Sequence, residues 1–481
     1  MELIPIILIV IVLLMLLIIL LINTLTFKPD LKKVAKETPD DVDKYRVIQS
    51  LQTMIRFKTI SYADKALEDE NQFKAFRDYL QTRYPKINAL AECEEIGETG
   101  ILFTLKGSHG GNPVVLMSHY DVVPENGTWK HNPFSAELID GKIYGRGTLD
   151  TKGTLCAVME SVEHLLGNGH TFTHDLYLAF SGDEETRGPS APAIVEHLKK
   201  HDVKPRFVLD EGGALVEGVF PGVTKKAAMI GLAEKGYLNI TLEAHAQGGH
   251  ASMPPKDMPV TDLAKAITSL NDGTLFDRKK TDVTMQMFNT IARHSTSFVN
   301  RMIFANLWLT WPLVKMNAKK DHGELNSLLQ TTQAFTMMEA SNAMNVLPSK
   351  ASVGINYRIL TGETVEETHE AVKARINNTA IETRIIKGAD PTPVSNMDDS
   401  YDLLTDTIRA FWGDVVPTPY LMMAGTDSRY YHDISANVYR FSPMQMTKAE
   451  RATIHSTEEA IQTDELIRCV QFYIMLLKRL N

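Results

Sequence analysis

The sequence has few cysteines and no excess of positive charge. Its three cysteines, Cys93, Cys156 and Cys469, are far apart and form no CxxC pair, which excludes a disulfide framework and a thiolate metal site. The formal net charge is −9 over 481 residues. Binding to a phosphate backbone requires a basic surface, so nucleic acid is excluded as a partner.

The chain also lacks the common motifs of nucleophilic catalysis. No serine lies in a GxSxG setting and no cysteine has a neighbouring base, which disfavours an acyl-enzyme mechanism. No internal repeat or low-complexity segment is present outside the N-terminus. Hydrophobic residues make up 44% of the sequence and charged residues 23%, which is ordinary for a globular protein of two or three domains.

The N-terminus carries an uninterrupted apolar run from Leu3 to Ile22, whose only irregularity is Pro5. At about 1.5 Å per residue it spans roughly 30 Å, the thickness of a membrane's hydrocarbon core. No small-residue cleavage site follows, which favours a single-pass anchor over the alternative of a removed signal sequence. The lysines after the run favour a cytosolic body. A short anchor on an otherwise soluble chain often serves export, however, and we favour an extracytoplasmic body.

Strand-like apolar runs alternate with amphipathic helices over much of the chain, for example at 114–117, 153–166 and 207–209. This alternation predicts an α/β fold with a mainly parallel sheet and helices on both faces. From about residue 230 the pattern changes to half-buried strands, which predicts an inserted α+β lid or dimerisation domain. The predicted units are a membrane anchor at 1–23, a linker at 24–44, a catalytic domain at 45–229 and 393–481, and the inserted domain at 230–392.

Histidine and acidic residues follow the predicted strands. His119, the pair Glu184–Glu185 and Asp210 each lie just past an apolar run. Ligands of a parallel sheet gather at the carboxyl ends of its strands, so we expect these side chains to lie close together. His119 and Asp121 share one face of an extended backbone. The Asp121 carboxylate can therefore receive one imidazole N–H while the other nitrogen holds a metal.

Asp150 and His455 complete a set of two imidazoles and several carboxylates. These are the ligands preferred by a pair of zinc-like ions, and one further carboxylate is left to act as a base on water. Each feature alone has an ordinary explanation, such as a surface histidine or a solvated acidic loop. Their combination at strand ends favours a metal-dependent active site.

Seven motifs, in order from about residue 45 to the C-terminus, resemble the co-catalytic di-zinc metallopeptidase family that contains carboxypeptidase S and aminoacylase. They are SHYDVVP, YGRGTLDTKG, SGDEETRG, VLDEGG, GGHASMPP, NVLPSKASVGINYR and IHSTEE. Within that family the chain is most similar to the branch of the carboxypeptidase S-like proteins and the N-fatty-acyl-amino acid synthase/hydrolase. Only the predicted anchor and linker lie outside the resemblance.

The resemblance implies two Zn²⁺ ions, with other divalent ions as alternatives. His119 and Asp210 would bind one ion, Glu185 and His455 would bind the other, and Asp150 would bridge them. In that family a cis peptide follows the bridging aspartate, which here is the Asp150–Thr151 bond.

The resemblance also implies catalytic roles for three residues. Glu184 would be the general base, which takes a proton from water and delivers it to the leaving amine. Asp121 would orient His119. His250, in the inserted domain, would stabilise the oxyanion and reach across a homodimer; the alternative is an ordinary core or loop histidine.

The resemblance also implies four substrate-binding residues. Asn345 and Arg358 would bind its free carboxylate, and Gly425 and Thr426 would line the same pocket. The guanidinium of Arg358 matches the shape of a carboxylate. A surface ion pair for Arg358 and a simple turn at Asn345 stay open as alternatives.

The sequence departs from the family pattern in three places. DEETRG replaces an acidic pair followed by glycines, which predicts a stiffer loop after Glu185. HSTEE lacks the usual Asn-Glu, which leaves the role of Glu458 open. An additional segment, Phe288 to Asp321, is rich in Phe, Met and Trp. It could line an acyl pocket, cover the sheet or touch the membrane, and we favour plain packing.

Together these features predict a membrane-anchored di-zinc amidohydrolase. Its substrate would be a small molecule or short peptide with a free carboxylate: an N-acyl amino acid, or a peptide that loses its C-terminal residue. The reverse condensation of fatty acid and amino acid is also compatible. One alternative is a dipeptidase or aminopeptidase, which needs an anchor for a free amine, whereas Arg358 favours a carboxylate. The other is a non-catalytic binding protein, which would have lost a ligand or the base.

Overall fold

The structure is a computed structural model that describes residues 3–29, 32, 34–273, 275–321 and 323–480. Positions 1 and 2 of the predicted anchor, 30, 31 and 33 of the linker, 274 and 322 of the inserted domain, and the C-terminal residue lie outside the described residues. The helices are α1 (Leu3–Thr26), α2 (Lys44–Arg56), α3 (Glu70–Arg83), α4 (Pro85–Leu90), α5 (Lys152–Gly167), α6 (Ser190–Lys200), α7 (Pro259–Leu270), α8 (Asp282–Ala292), α9 (Phe298–Ala305), α10 (Leu307–Asp321), α11 (Glu324–Leu329), α12 (Val365–Ile376), α13 (Asp399–Trp412), α14 (Lys448–Arg451) and α15 (Thr463–Lys478).

The strands form one large sheet and three smaller ones. They are β1 (Glu92–Ile96), β2 (Gly100–Leu105), β3 (Val114–His119), β4 (Glu137–Ile139), β5 (Lys142–Tyr144), β6 (Leu176–Ser181), β7 (Phe207–Asp210), β8 (Leu215–Val216), β9 (Lys226–Glu234), β10 (Gly236–His245), β11 (Gly249–His250), β12 (Thr332–Glu339), β13 (Val346–Leu347), β14 (Lys350–Ile359), β15 (Ile381–Ala389), β16 (Val415–Met422), β17 (Val438–Arg440) and β18 (Ala460–Gln462).

The large sheet has nine strands in the order β1-β2-β6-β3-β7-β17-β9-β16, with β8 paired to β9. Its four central strands, β6, β3, β7 and β17, run parallel, and β9 and β16 form a second parallel pair. The strands at the β1 edge are antiparallel. The predicted α/β fold is therefore confirmed, with a sheet that is parallel at its centre and mixed towards its edges.

Helices cover both faces of this sheet. Along β3, Val114 and Leu116 belong to the core that contains α5, whereas Val115 and Met117 belong to the core that contains α6. All six residues of β3 are buried. A strand covered on both faces needs apolar side chains at successive positions, which explains the continuous run in the sequence.

A separate antiparallel sheet has the order β12-β14-β10-β15. One of its faces packs on α7 and α12 around Leu238, Ile240, Ile355, Leu263 and Val372. Every second residue of β14 is buried, as the alternating sequence indicates. This sheet lies within the segment 230–392, for which an inserted domain is predicted.

Helix α1 contains a span of 23 residues, Ile4–Thr26, that is long and apolar enough to cross a membrane. The most apolar 18-residue window of this span has a mean hydropathy of 3.7, and none of that window is buried inside the protein. A signal sequence near the N-terminus has the same properties, so the membrane location stays a prediction.

Candidate active site

Three neighbouring parallel strands bring the predicted site together. His119 is the last residue of β3, the pair Glu184–Glu185 follows β6, and Glu211 follows β7. Strand β3 lies between β6 and β7 and is parallel to both, so all three chain ends reach the same edge of the sheet. Asp150 and His455 reach this edge from the loops before α5 and β18.

The first cluster of ligand-type atoms surrounds His119. Its Nε2 lies 3.0 Å from Asp150 Oδ1 and 3.2 Å from Glu211 Oε1. The imidazole is buried, with 2% of its side chain exposed. These three side chains offer one nitrogen and two carboxylate oxygens within 4.8 Å of one another.

The second cluster shares Asp150 with the first. His455 Nε2 lies 3.0 Å from Asp150 Oδ2 and 3.0 Å from Glu185 Oε2. The two oxygens of Asp150 thus face different imidazoles, which is the arrangement of a carboxylate that bridges two cations. The peptide bond between Asp150 and Thr151 is cis.

Asp121 connects His119 to the acidic pair. Its Oδ1 lies 3.3 Å from His119 Nδ1 and accepts the Glu184 N–H at 3.1 Å. Its Oδ2 accepts the Glu185 N–H at 3.0 Å and the Ser61 hydroxyl at 2.7 Å. One fully buried carboxylate therefore orients the imidazole and fixes the backbone that carries both glutamates.

Asp210 does not take the position predicted for it. Its Oδ2 accepts the Ser428 N–H at 3.1 Å, and the neighbouring Glu211 reaches His119. Asp210 is still part of the extended strand β7, where consecutive side chains point to opposite sides. In this structure Glu211, and not the predicted Asp210, lies with His119 and Asp150.

Glu184 lies beside the clusters without belonging to either group. Its Oε2 is 4.0 Å from His119 Nε2, and neither metal-type group found among the described active-site residues contains it. Burial raises the pKa of Glu184 well above its ordinary value, with further increases from Asp427 and Glu211 and an opposing effect of His119. A carboxyl group that lies beside the ligands without joining either group is available for proton transfer.

The donor set fits two divalent cations. The carboxyl groups around the two imidazoles are those of Asp121, Asp150, Glu184, Glu185, Asp210, Glu211 and Asp427. Burial and neighbouring negative charge raise the pKa of Glu211 to about 8, and burial raises the pKa of Asp427 to about 8 as well. Carboxylates are costly to bury without opposite charge, and divalent ions with mixed nitrogen and oxygen ligands would provide it.

His250 and Asn345 lie on an exposed two-stranded ribbon. His250 is in β11, which pairs with β13, and its Nδ1 accepts the Ser252 N–H at 3.1 Å. The carbonyl of Asn345 accepts the Ala251 N–H at 3.0 Å. These bonds stay within the ribbon and do not bring either side chain to the carboxylate clusters.

Arg358 lies opposite Tyr237 in the antiparallel pair of β14 and β10. The Arg187 guanidinium stacks on the Tyr237 ring at 3.7 Å from its centre, and the Arg429 guanidinium lies 5.7 Å from the same centre. Burial lowers the pKa of Arg358, and the positive charge of Arg187 lowers it further. Arg187 follows Glu184 by three residues, so the DEETRG motif brings a cation to this place.

The loop with Gly425 and Thr426 has a structural task. The Thr426 hydroxyl donates to Glu234 Oε1 at 3.0 Å, and only 7% of the residue is exposed. Thr426 also caps the short helix that contains Ser428, the residue that holds Asp210. Gly425 is half-buried beside Glu234. Internal bonds thus occupy the Thr426 side chain, which the sequence predicts to line the substrate pocket.

The HSTEE motif supports the loop that carries Asp150. The buried Glu459 pairs with Arg146 at 2.9 Å and accepts the N–H groups of Gly147 at 3.0 Å and Leu149 at 2.8 Å. Glu458 accepts the Lys130 N–H at 2.6 Å, which gives this residue a structural role. An acid close to a ligand histidine is the sequence feature that could have revealed Glu459.

Known proteins share these features. The model of peptidase family M20/M25/M40 matches residues 115–479. The chain belongs to this family. It is 33% identical over 473 residues to the probable carboxypeptidase S-like protein 2 of Dictyostelium discoideum, covering 95% of this chain and 90% of the relative. It is 32% identical over 443 residues to the N-fatty-acyl-amino acid synthase/hydrolase PM20D1 of Xenopus tropicalis, covering 91% and 86%.

Solved structures share the fold at low sequence identity. The M20 family metallo-carboxypeptidase Sso-CP2 of Sulfolobus solfataricus matches with a TM-score of 0.64 at 18% identity, covering 90% of this chain and 99% of that one. Human carnosine dipeptidase 1 matches with a TM-score of 0.64 at 14% identity, covering 91% and 96%. The predicted family is confirmed, and the protein is an enzyme of the metallopeptidase and amidohydrolase class.

Proposed function

We propose that the protein is a di-zinc hydrolase that cleaves the amide bond of N-acyl amino acids or removes the C-terminal residue of peptides. The observation that carries the proposal is the sharing of Asp150 between the His119 and His455 clusters, with Glu184 beside them. Relatives named as carboxypeptidase S-like proteins and N-fatty-acyl-amino acid synthase/hydrolases support the substrate class. The same site would also serve the reverse condensation.

The residues that would hold the ions are His119 and Glu211 on one side, His455 and Glu185 on the other, and Asp150 between them. Bound there, the ions would supply Lewis acidity for the amide carbonyl and the attacking water. Glu184 would accept a proton from that water at its Oε2 and pass it to the leaving amine. Asp121 would keep His119 and the Glu184 backbone in place throughout.

We assign recognition of the substrate carboxylate to Arg358 together with Arg187. Arg187 stacks on Tyr237, the cross-strand partner of Arg358, and belongs to the loop that carries the proposed base. Two cations close together repel each other unless an anion lies between them. A free carboxylate of the substrate provides that anion and accepts paired N–H donors from a guanidinium.

We also propose that His250 of one copy stabilises the oxyanion in the active site of a second copy within a homodimer. Its exposed position on the β11–β13 ribbon is compatible with a contact that reaches the active site of a second copy. We likewise propose that α1 anchors the enzyme and that the catalytic body is extracytoplasmic.

Removal of divalent ions tests the proposed function. Dialysis of the detergent-solubilised full chain against a chelator is expected to abolish hydrolysis of an N-acyl amino acid, and added Zn²⁺ is expected to restore it. Metal analysis of the active protein should give about two ions per chain. Full activity in the metal-free protein would disprove the proposal.

Exchange of the acidic residues at the end of β7 tests whether Glu211 or Asp210 is the metal ligand. Glu211→Gln is expected to retain roughly one zinc per chain instead of two, since it removes a charged ligand. Asp210→Asn is the matched control and should keep both, because its side chain still accepts the Ser428 N–H. The reverse result, with zinc lost only from Asp210→Asn, would return the role to Asp210.

Arg358→Ala and Arg187→Ala are each expected to raise KM for N-acyl amino acids by about tenfold to a hundredfold, because each removes a charged hydrogen-bond donor. KM for the corresponding carboxamides should change little. Arg384→Ala is the matched control, as Arg384 is an exposed arginine of the same sheet. Equal effects on acids and carboxamides would contradict recognition of the carboxylate.

A further inference from the structure

Helices α9 and α10 expose an unusual amount of apolar surface. Single exposed apolar residues are common on soluble proteins, but a contiguous group marks an interaction site. Between 42% and 56% of each of these apolar residues is exposed. The six, which we call the outer face, are Phe298, Val299, Trp308, Leu309, Leu313 and Met316.

The opposite side of the same helices is packed. Phe304 of α9 contacts Phe220 and Phe288, with ring centres 4.8 Å and 5.0 Å apart. Val314 and Ala318 of α10 are buried. The predicted packing role of the segment Phe288 to Asp321 therefore describes its inner side. Leu313 and Met316 of the outer face also border a cavity that Phe288 lines, and the exposed half of each is available for a different contact.

The outer face lies beside the end of the apolar helix α1. Asn306, at the junction of α9 and α10, is fully buried. Its Oδ1 accepts the Asn23 side-chain N–H at 2.9 Å, and its Nδ2 donates to the Leu20 carbonyl at 3.3 Å. These bonds fix α9 and α10 against the last two turns of a helix that is long enough to span a bilayer.

A second contact holds the chain directly after α1. The Arg293 guanidinium donates to the Lys28 carbonyl at 2.9 Å and lies 4.6 Å from the centre of the Phe27 ring. The end of α1 is thus attached to the junction of α9 and α10 through Asn306, and the residues after it are attached to the end of α8 through Arg293. When α1 crosses a membrane, this attachment leaves α9 and α10 at the membrane surface.

The composition of α9 and α10 suits that location. Trp308 and Trp311 are two of the four tryptophans in the chain, and tryptophan is enriched where lipid headgroups meet acyl chains. Lys319 and Lys320 are exposed near the end of α10 and match anionic headgroups. Aromatic and aliphatic side chains together with a basic rim are typical of a helix that lies in the interface.

We propose that α9 and α10 form a membrane-binding face that inserts its six outer apolar side chains into the leaflet next to α1. The enzyme is then held to the bilayer at two places, by the anchor and by this face, in one fixed orientation. The proposal goes beyond the proposed hydrolase function and does not depend on the metal site.

Spin labels on the full chain test the face in vesicles of phosphatidylcholine and phosphatidylserine. Labels are attached to Leu309→Cys and Leu313→Cys in a Cys93→Ser background, where the remaining cysteines are buried. Leu13→Cys is the lipid reference and Leu138→Cys, with 49% of the residue exposed, is the aqueous control. We expect the ratio of oxygen to nickel-complex collisions at 309 and 313 to approach that at 13. A ratio equal to that at 138 would overturn the proposal, and so would an aqueous ratio at 13.

Tryptophan quenching gives a second test without new cysteines. Brominated lipids are expected to quench the unmodified full chain, and the Trp308→Phe/Trp311→Phe double variant should lose about half of that quenching or more. Trp129 and Trp412 stay as internal references. Equal quenching of both proteins would show that these tryptophans do not meet lipid.

Discussion

Glu184→Gln is expected to lower kcat for hydrolysis of an N-acyl amino acid by about 10²–10⁴-fold, because it removes a general base but keeps the size of the side chain. The backbone N–H of residue 184 would still donate to Asp121, so the loop and His119 should stay in place. Glu184 belongs to neither ligand group found at the active site among the described residues. Metal content should therefore stay at the level of the unmodified enzyme. The measurement is steady-state kinetics together with metal analysis of the same preparation.

A matched control separates this effect from a general loss of negative charge. Glu125→Gln changes an exposed glutamate on the loop after Asp121 and should leave kcat within about twofold. If Glu184→Gln retains full activity with both ions bound, the proton is transferred by another group. Loss of activity that is accompanied by loss of zinc would instead make Glu184 a metal ligand.

Much of the catalytic sheet is predictable from the sequence because its central strands are buried on both faces. Strand β3 is apolar at successive positions, and its end at His119 follows from the change to polar residues. The ends of neighbouring parallel strands meet at one edge, so the places of His119 and Glu185 after apolar runs are enough to predict that they lie together. The apolar runs and the rule that parallel strands end at one edge are sufficient to place His119 and Glu185 together.

The choice between Asp210 and Glu211 shows where this reasoning fails. A shift of one residue reverses the direction of a side chain at a strand end. The apolar run of β7 ends before Asp210 and Glu211. The composition of the run therefore does not determine which of the two side chains points towards His119. The hydrogen bond from the distant Ser428 N–H holds the Asp210 side chain away from His119 and leaves that position to Glu211.

Contacts between the two sheets are equally inaccessible to sequence reasoning. The stacking of Arg187 on Tyr237 joins a loop of the large sheet to β10 of the smaller one. Such a contact leaves no periodicity in either segment. The segment Phe288 to Asp321 is ambiguous for a related reason, since apolar residues on two sides of a helix predict burial but not whether protein or lipid covers them.

Arg440→Met is expected to reduce the free energy of unfolding by about 3–5 kcal/mol, because it removes the nearest counter-ion of the buried Glu234 and leaves it with the more distant Arg429, 3.9 Å away. Arg440 and Glu234 are both fully buried, and Nε lies 2.6 Å from Oε1. Urea denaturation of the detergent-solubilised chain measures the loss. As a surface control, Lys74→Met breaks the exposed pair with Asp78 and should cost less than about 1 kcal/mol.

The double variant Glu234→Gln/Arg440→Met distinguishes the charge from the packing. It removes both charges and should be more stable than Arg440→Met alone, because no uncompensated ion remains in the core. A glutamine oxygen can still accept the Thr426 hydroxyl, which keeps the cap of the helix that holds Asp210 through Ser428. If the double variant were less stable than the single one, packing of the Arg440 side chain, rather than neutralisation of Glu234, would account for the stability.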